Sequence, residues 1–203
     1  MSYFPFFIDI KNRKCIVVGG GTVALRKIEK LVLFEPQITV IAPIICDEIS
    51  KLPGIGIVRR EFKDSDIDGA FLVITATDNS SLNERIFRMC SDKGIPVNTV
   101  DDKEKCSFIF PAIVKRENVT AAVSTEGKSP IFARYLRQSI ERSLDDRTDR
   151  IVGILSGVRN RIKSEINDEE NRKLAFEKIL TLLLKDSDNV TSETITEIIG
   201  EYR

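Results

Sequence analysis

The chain contains no histidine, which removes the commonest general acid/base and the commonest transition-metal ligand. Any proton transfer must then use Asp, Glu, Lys, Tyr, Cys or water. The cysteines, Cys15, Cys46, Cys90 and Cys106, lie far apart and form no CxxC pair, so neither a zinc site nor a thioredoxin-type site is expected and no metal ligands are assigned. Reduced, mostly buried thiols are the expectation. Neither sign of charge is in excess, with 31 Lys and Arg against 31 Asp and Glu; the broad positive field behind non-specific nucleic-acid binding is missing. No apolar run approaches the roughly 20 residues of a transmembrane helix. The N-terminal segment 1–9 has neither a basic leader nor a small-residue cleavage site, unlike a signal peptide. These absences predict a cytoplasmic protein with no nucleic-acid partner and no membrane partner.

What is present is a balance of 42% hydrophobic and 31% charged residues over 203 positions, as expected of a folded soluble chain. That length holds one large domain, or a nucleotide-binding domain with a smaller partner, and buries roughly 70% of the extended surface.

The first hundred residues alternate short β-branched runs with segments of helical period, the pattern of βαβ units on a parallel sheet. Strands are predicted at 14–19, 38–42, 57–59, 70–76 and 96–100. Helices are predicted at 22–34, where Ala24, Ile28, Leu31 and Val32 form one apolar face, and at 79–93. Beyond Asp101, the segments 107–114 and 118–124 read as an antiparallel pair joined by a polar turn. Ser129-Pro130 then opens a helix with an N-cap residue and proline at its first position. The remainder is helical in character, with breaks near 167–168 and 186–189. The expected organisation is α/β: a Rossmann-type domain over 1–106, a small mixed α/β dimerisation region over 107–145, and a helical C-terminal region over 146–203.

Gly19-Gly20-Gly21-Thr22-Val23-Ala24 fits G-x-G-x-x-A directly after a predicted strand and at the start of a predicted helix. Gly19 permits the tight turn, Gly21 lets backbone approach a pyrophosphate, and Ala24 keeps the helix close to the strand; Thr22 and Val23 begin the helix whose free N–H groups face an anion. The plain alternative is a glycine turn that merely joins strand to helix, but the surrounding βαβ pattern favours a dinucleotide. The second strand ends in Ala42-Pro43-Ile44, where an acidic residue commonly accepts the ribose hydroxyls. Backbone groups at Pro43 and Ile44 are the expected substitutes, and no arginine there favours a 2′-phosphate, so NAD is expected rather than NADP. Thr77, just past the fourth strand, is expected near the cofactor, with Asp78 or Asn79 capping the next helix.

Asp101, after the fifth strand, is the best candidate for general base in a chain without histidine; a solvated turn is the bland reading of Asp101-Asp102. Ser124, Thr125 and Ser129 lie on a strand-to-helix segment whose helix N-terminus suits a substrate carboxylate, and Arg134 and Arg137 on that helix offer charge-assisted bonds. Loop and cap alone would also account for this segment.

In combination these pieces resemble the precorrin-2 dehydrogenase family, which includes the N-terminal half of bacterial siroheme synthase. The resemblance rests on FPFFIDIKNRKCIVVGGGTVALRK at 4–27, VITATDNSSLNERI at 73–86, VNTVDDKEKCSFIFPAIV at 97–114 and AAVSTEGKSPIFARYLR at 121–137. It covers about residues 3–145 well and the helical tail loosely. It implies a Rossmann domain, a region through which two chains dimerise, and NAD-dependent oxidation of precorrin-2 to sirohydrochlorin, with the family's catalytic aspartate at Asp101. Some members also insert ferrous iron into the product. Thr125 stands where siroheme synthase has a serine that can be phosphorylated, which puts that feature in doubt. A non-catalytic NAD-sensing module would share the glycines but has no need of Asp101 or of segment 124–130.

Overall fold

The computed structural model describes residues 3–203; Met1 and Ser2, with which the N-terminal expectation begins, lie outside them. The chain forms two compact units, one ending at Phe110 and one beginning at Pro111.

The first unit is a five-stranded sheet in the order β3-β2-β1-β4-β5: β1 (Lys14–Val18), β2 (Gln37–Ile41), β3 (Gly56–Val58), β4 (Leu72–Thr75) and β5 (Val97–Thr99). Every neighbouring pair is parallel. With α1 (Thr22–Leu31), α2 (Asp47–Lys51) and α3 (Ser80–Asp92) in the connections, this is the doubly wound arrangement in which the chain reverses direction beside β1. The alternation of each strand sends its side chains to two cores. One gathers Cys15, Val17, Val40 and Ile74 with Ala24, Ile28 and Leu31 of α1. The other gathers Ile16, Val18, Val73 and Val97 with Ile86 and Cys90 of α3. Burying each large aliphatic side chain contributes about 1.5–3 kcal/mol.

Three local expectations are corrected. The helix expected over 22–34 is α-helical only to Leu31 and ends as a 3-10 turn, Val32–Phe34; Pro36 bars Glu35 from continuing it, and Glu35 closes it with φ 55°. Helix α2 was not anticipated. The strand expected over 107–114 is β6, Ala112–Lys115. Residues 107–110 instead return to the first unit: Ser107 N donates to the Val97 carbonyl (2.9 Å), Asn98 Nδ2 donates to the Phe108 carbonyl (2.9 Å), and Phe108 and Phe110 pack against the first core. Pro111, which has no N–H to give a ladder, separates that segment from β6.

In the second unit β6 pairs antiparallel with β7 (Thr120–Val123), followed by α4 (Pro130–Ser143), α5 (Asp146–Glu165), α6 (Glu169–Asp186) and α7 (Ser192–Glu201). The expected breaks near 167–168 and 186–189 fall between α5, α6 and α7. Ile151, Val158 and Ile162, Ala175, Ile179 and Leu183, and Ile195, Ile198 and Ile199 recur at helical steps and form one core. Arg116, beyond β6, ties this unit together through Asp149 (2.9 Å), Asp146 (2.6 Å) and the Leu144 carbonyl (3.0 Å). Among the described residues no helix is long and apolar enough to cross a membrane.

Candidate dinucleotide site

The turn from β1 to α1 is shaped by what its backbone must approach. Gly19 has φ 115°, and a Cβ there would stand 2.1 Å from the Ala76 carbonyl oxygen; only glycine is free of both penalties. Gly20 is equally confined, since its Cβ would stand 2.3 Å from the Ile44 carbonyl oxygen. Its own carbonyl accepts a hydrogen bond from Cys46 N–H (2.9 Å). Around Gly21 there is open space. The confinement of Gly20 is invisible to the G-x-G fingerprint, which leaves its position free.

Helix α1 begins behind Gly21 with no side-chain cap and no acidic residue in its first turn. The other long helices are each capped by a side chain: Asn79 on α3, Ser129 on α4, Asp145 on α5, Asp168 on α6 and Thr191 on α7. The first N–H groups of α1 and its positive dipole end are thus left for an external anion. They open into a cleft of about 960 Å³ that brings together Gly19, Gly21, Thr22, Val23, Pro43, Ile44 and Thr77, the whole expected cofactor set. That volume suits a dinucleotide. The open space at Gly21 and an uncapped helix end together fit a pyrophosphate.

Thr77 lines the cleft, while its hydroxyl donates to Asn83 Oδ1 (2.7 Å) and the Asn83 amide donates back to the Thr77 carbonyl (2.9 Å). This exchange locks the exit of β4 to α3. Asn79, not Asp78, caps α3, accepting from Leu82 N–H (3.0 Å). Among the lining residues that sequence reasoning missed are Glu61, Phe62 and Arg85, because they follow weak β3 or lie within α3. Arg85 is ion-paired with Asp64.

Asp101 is exposed, is not among the residues lining that cleft, and sits in the left-handed region at φ 61°. It is the apex of a closed turn. Cys106 pairs back to Asn98, and its thiol lies 3.1 Å from the carbonyl oxygens of both Thr99 and Asp102, either of which can accept its proton. Lys105 bridges Asp102 (2.9 Å) and Glu84 of α3 (2.8 Å). Lys27 of α1 stacks its ammonium 4.4 Å from the Phe110 ring centroid. Burial lowers the Lys27 pKa, aided by Lys30 and opposed by the charges of Cys106 and Asp101. At the ends of β4 and β5 the buried hydroxyls of Thr75 and Thr99 have no hydrogen-bond partner among the described residues.

All four cysteines are free thiols, and burial pushes Cys15 and Cys90 up to about 11, a range that leaves them inert as nucleophiles. Among the described residues no cluster of candidate metal ligands occurs.

In the second unit, Ser124, Thr125 and Ser129 share one loop. Ser124 Oγ accepts from Glu126 N–H (3.0 Å). Thr125 Oγ1 donates to the Ser129 carbonyl (3.0 Å) and accepts from its N–H (3.2 Å), and Ser129 Oγ caps α4 by accepting from Phe132 N–H (3.3 Å). Arg134 is exposed on α4, whereas Arg137 pairs with Glu141 (2.8 Å). Ile131 (81% exposed) and the stacked rings of Phe132 and Tyr135 form an apolar surface beside Arg134.

Comparison with known proteins agrees with this architecture. A family described as putative NAD(P)-binding matches residues 6–112, more than half of the chain, and one described as sirohaem biosynthesis protein central matches residues 121–143. Siroheme synthase of Thioalkalivibrio sulfidiphilus is 37% identical over 207 residues, spanning 98% of this chain and 42% of the relative. That of Blochmanniella pennsylvanica is 41% identical over 182 residues, spanning 88% of this chain and 38% of the relative. The chain thus spans about two fifths of the length of these relatives. The solved structure of SirC, a precorrin-2 dehydrogenase, superposes with a TM-score of 0.71 at 22% identity, covering 98% of each chain; at that identity it establishes the shared fold.

Proposed function

Since the chain belongs to the putative NAD(P)-binding family, we propose that it is an NAD-dependent precorrin-2 dehydrogenase, producing sirohydrochlorin and NADH. The observation that carries this reading is the uncapped start of α1 behind the Gly19–Gly21 cradle, opening into a cleft of dinucleotide size. Siroheme synthase relatives and the fold of SirC supply the substrate class.

A bound nicotinamide supplies the hydride acceptor. The chain's part is to seat the pyrophosphate on α1, shape the cleft at Pro43, Ile44 and Thr77, and offer Asp101 to take the proton that leaves as the hydride departs. The turn that places Asp101 at the sheet's carboxyl edge, braced by Lys105 and Cys106, supports that role. Ser124, Thr125, Ser129 and Arg134 are proposed to hold substrate carboxylates. Segment 107–145 is proposed as the dimerisation region of a homodimer working in the cytoplasm.

Turnover of precorrin-2 with NAD, followed by NADH absorbance, tests the proposal. Steady NADH production in stoichiometry with sirohydrochlorin is expected. NAD binding without turnover would instead leave an NAD-sensing module.

A further inference from the structure

We infer that Glu61 is the ribose-binding carboxylate of the cleft and sets its preference for NAD over NADP. The inference rests on the dinucleotide reading above and extends it to a residue that the motif does not include.

Strand β2 ends in Ala42-Pro43-Ile44, with no acidic side chain where the ribose hydroxyls need an acceptor. Strand β3 runs parallel beside β2, with Ile41 in register with Val58. The segment leaving β3 therefore emerges on the same carboxyl edge, next to the vacant position. Glu61 lies on that segment and lines the cleft. Its neighbour Phe62, 9% exposed, packs into the second core and anchors it there.

The nearby arginines are already engaged. Arg60 makes a bidentate pair with Asp66 (2.8 and 2.6 Å) and also donates to the Glu61 carbonyl (2.8 Å). Arg59 donates to Ser50 Oγ (3.0 Å), and Arg85 pairs with Asp64. The Glu61 carboxylate itself makes no hydrogen bond or ion pair among the described residues. A carboxylate held at the cleft wall with both oxygens open can accept from two vicinal hydroxyls, and its charge repels a phosphate attached to either one.

Calorimetric titration of NAD and NADP into the wild-type chain, Glu61→Ala and Glu61→Gln tests this. Wild type is expected to favour NAD. Glu61→Ala should weaken NAD by about tenfold, the loss typical of a hydrogen bond to a charged group, without weakening NADP. Glu61→Gln, which keeps an acceptor and removes the charge, should retain more of the NAD affinity and narrow the discrimination. Glu61 is exposed, so unchanged thermal melts are expected for both variants. A wild type that prefers NAD, with the same NAD-to-NADP ratio in both variants, overturns the inference and leaves the dinucleotide reading intact. A wild type that binds neither nucleotide overturns both.

Discussion

Lys105 reaches Glu84 across 2.8 Å and so fastens the turn that carries Asp101 to helix α3. The same ammonium holds Asp102 at 2.9 Å. Both pairs are solvated, and each contributes little to stability. Their effect is on where the turn sits. Lys105→Met should therefore lower Tm by only about 2–4 °C, leave NAD affinity unchanged and reduce kcat by about tenfold, a loss of roughly 1.4 kcal/mol in the transition state. Lys105→Arg should recover most of kcat. Equal losses of kcat and NAD affinity would instead indicate general loosening.

These pairs also give an acid response. Lys105, then Arg88, holds the Glu84 carboxyl below its ordinary range, and Lys105 does the same for Asp102. A carboxyl depressed in the folded state is more protonated in the unfolded chain between the two pKa values, so stability rises with pH across that window. The contribution is complete above the unfolded values of about 4 and disappears as pH falls through the lower folded ones. Urea midpoints should be flat from neutral pH to mildly acidic and then drop. In Lys105→Met the drop should be shallower.

The three glycines should separate folding from binding. Gly19→Ala and Gly20→Ala place a Cβ 2.1 and 2.3 Å from backbone carbonyl oxygens and are expected to cost about 1–3 kcal/mol or more. Gly21→Ala meets nothing within 4 Å and should fold normally. Gly21→Asp should also fold, yet bind NAD poorly through bulk and charge at the pyrophosphate seat. Thermal melts and NAD titrations of the four variants check this, and undiminished NAD affinity in Gly21→Asp would remove the glycine turn from the site.

Asp101 has φ 61°, a conformation that costs a non-glycine residue about 1–2 kcal/mol. Asp101→Gly is thus expected to be at least as stable as wild type while losing precorrin-2 oxidation by about a hundredfold or more, the scale of a lost general base. Asp101→Ala should lose turnover to the same extent and keep NAD binding. Wild-type turnover in either variant would end the role assigned to Asp101.

The parallel sheet and its glycine turn were legible in sequence because apolar periodicity and a local motif coincide. Three features were not. Helix α2, Asp47–Lys51, is too short to show a period. Phe108 and Phe110 alternate like a strand, and it is the hydrogen bonds of Ser107 to Val97 and of Asn98 to Phe108, with the packing of both rings on the first core, that assign them to the first unit. Gly20 and Glu61 acquire their meaning from Ile44 and from the cleft, neighbours brought close only by the strand order. Asp101 was singled out by its place after the fifth strand, by the lack of histidine and by the family resemblance, and its role as base is a proposal.

The contact of Gly20 with Ile44 and the 2.9 Å bond from Cys46 N–H to the Gly20 carbonyl make two loops behave as one block. The entropy of fixing their shape is lost when the chain folds, so an arriving nucleotide meets walls already in place and spends little of its affinity on arranging them. Association should accordingly be quick, and nucleotide binding should leave the backbone around this block almost where it was.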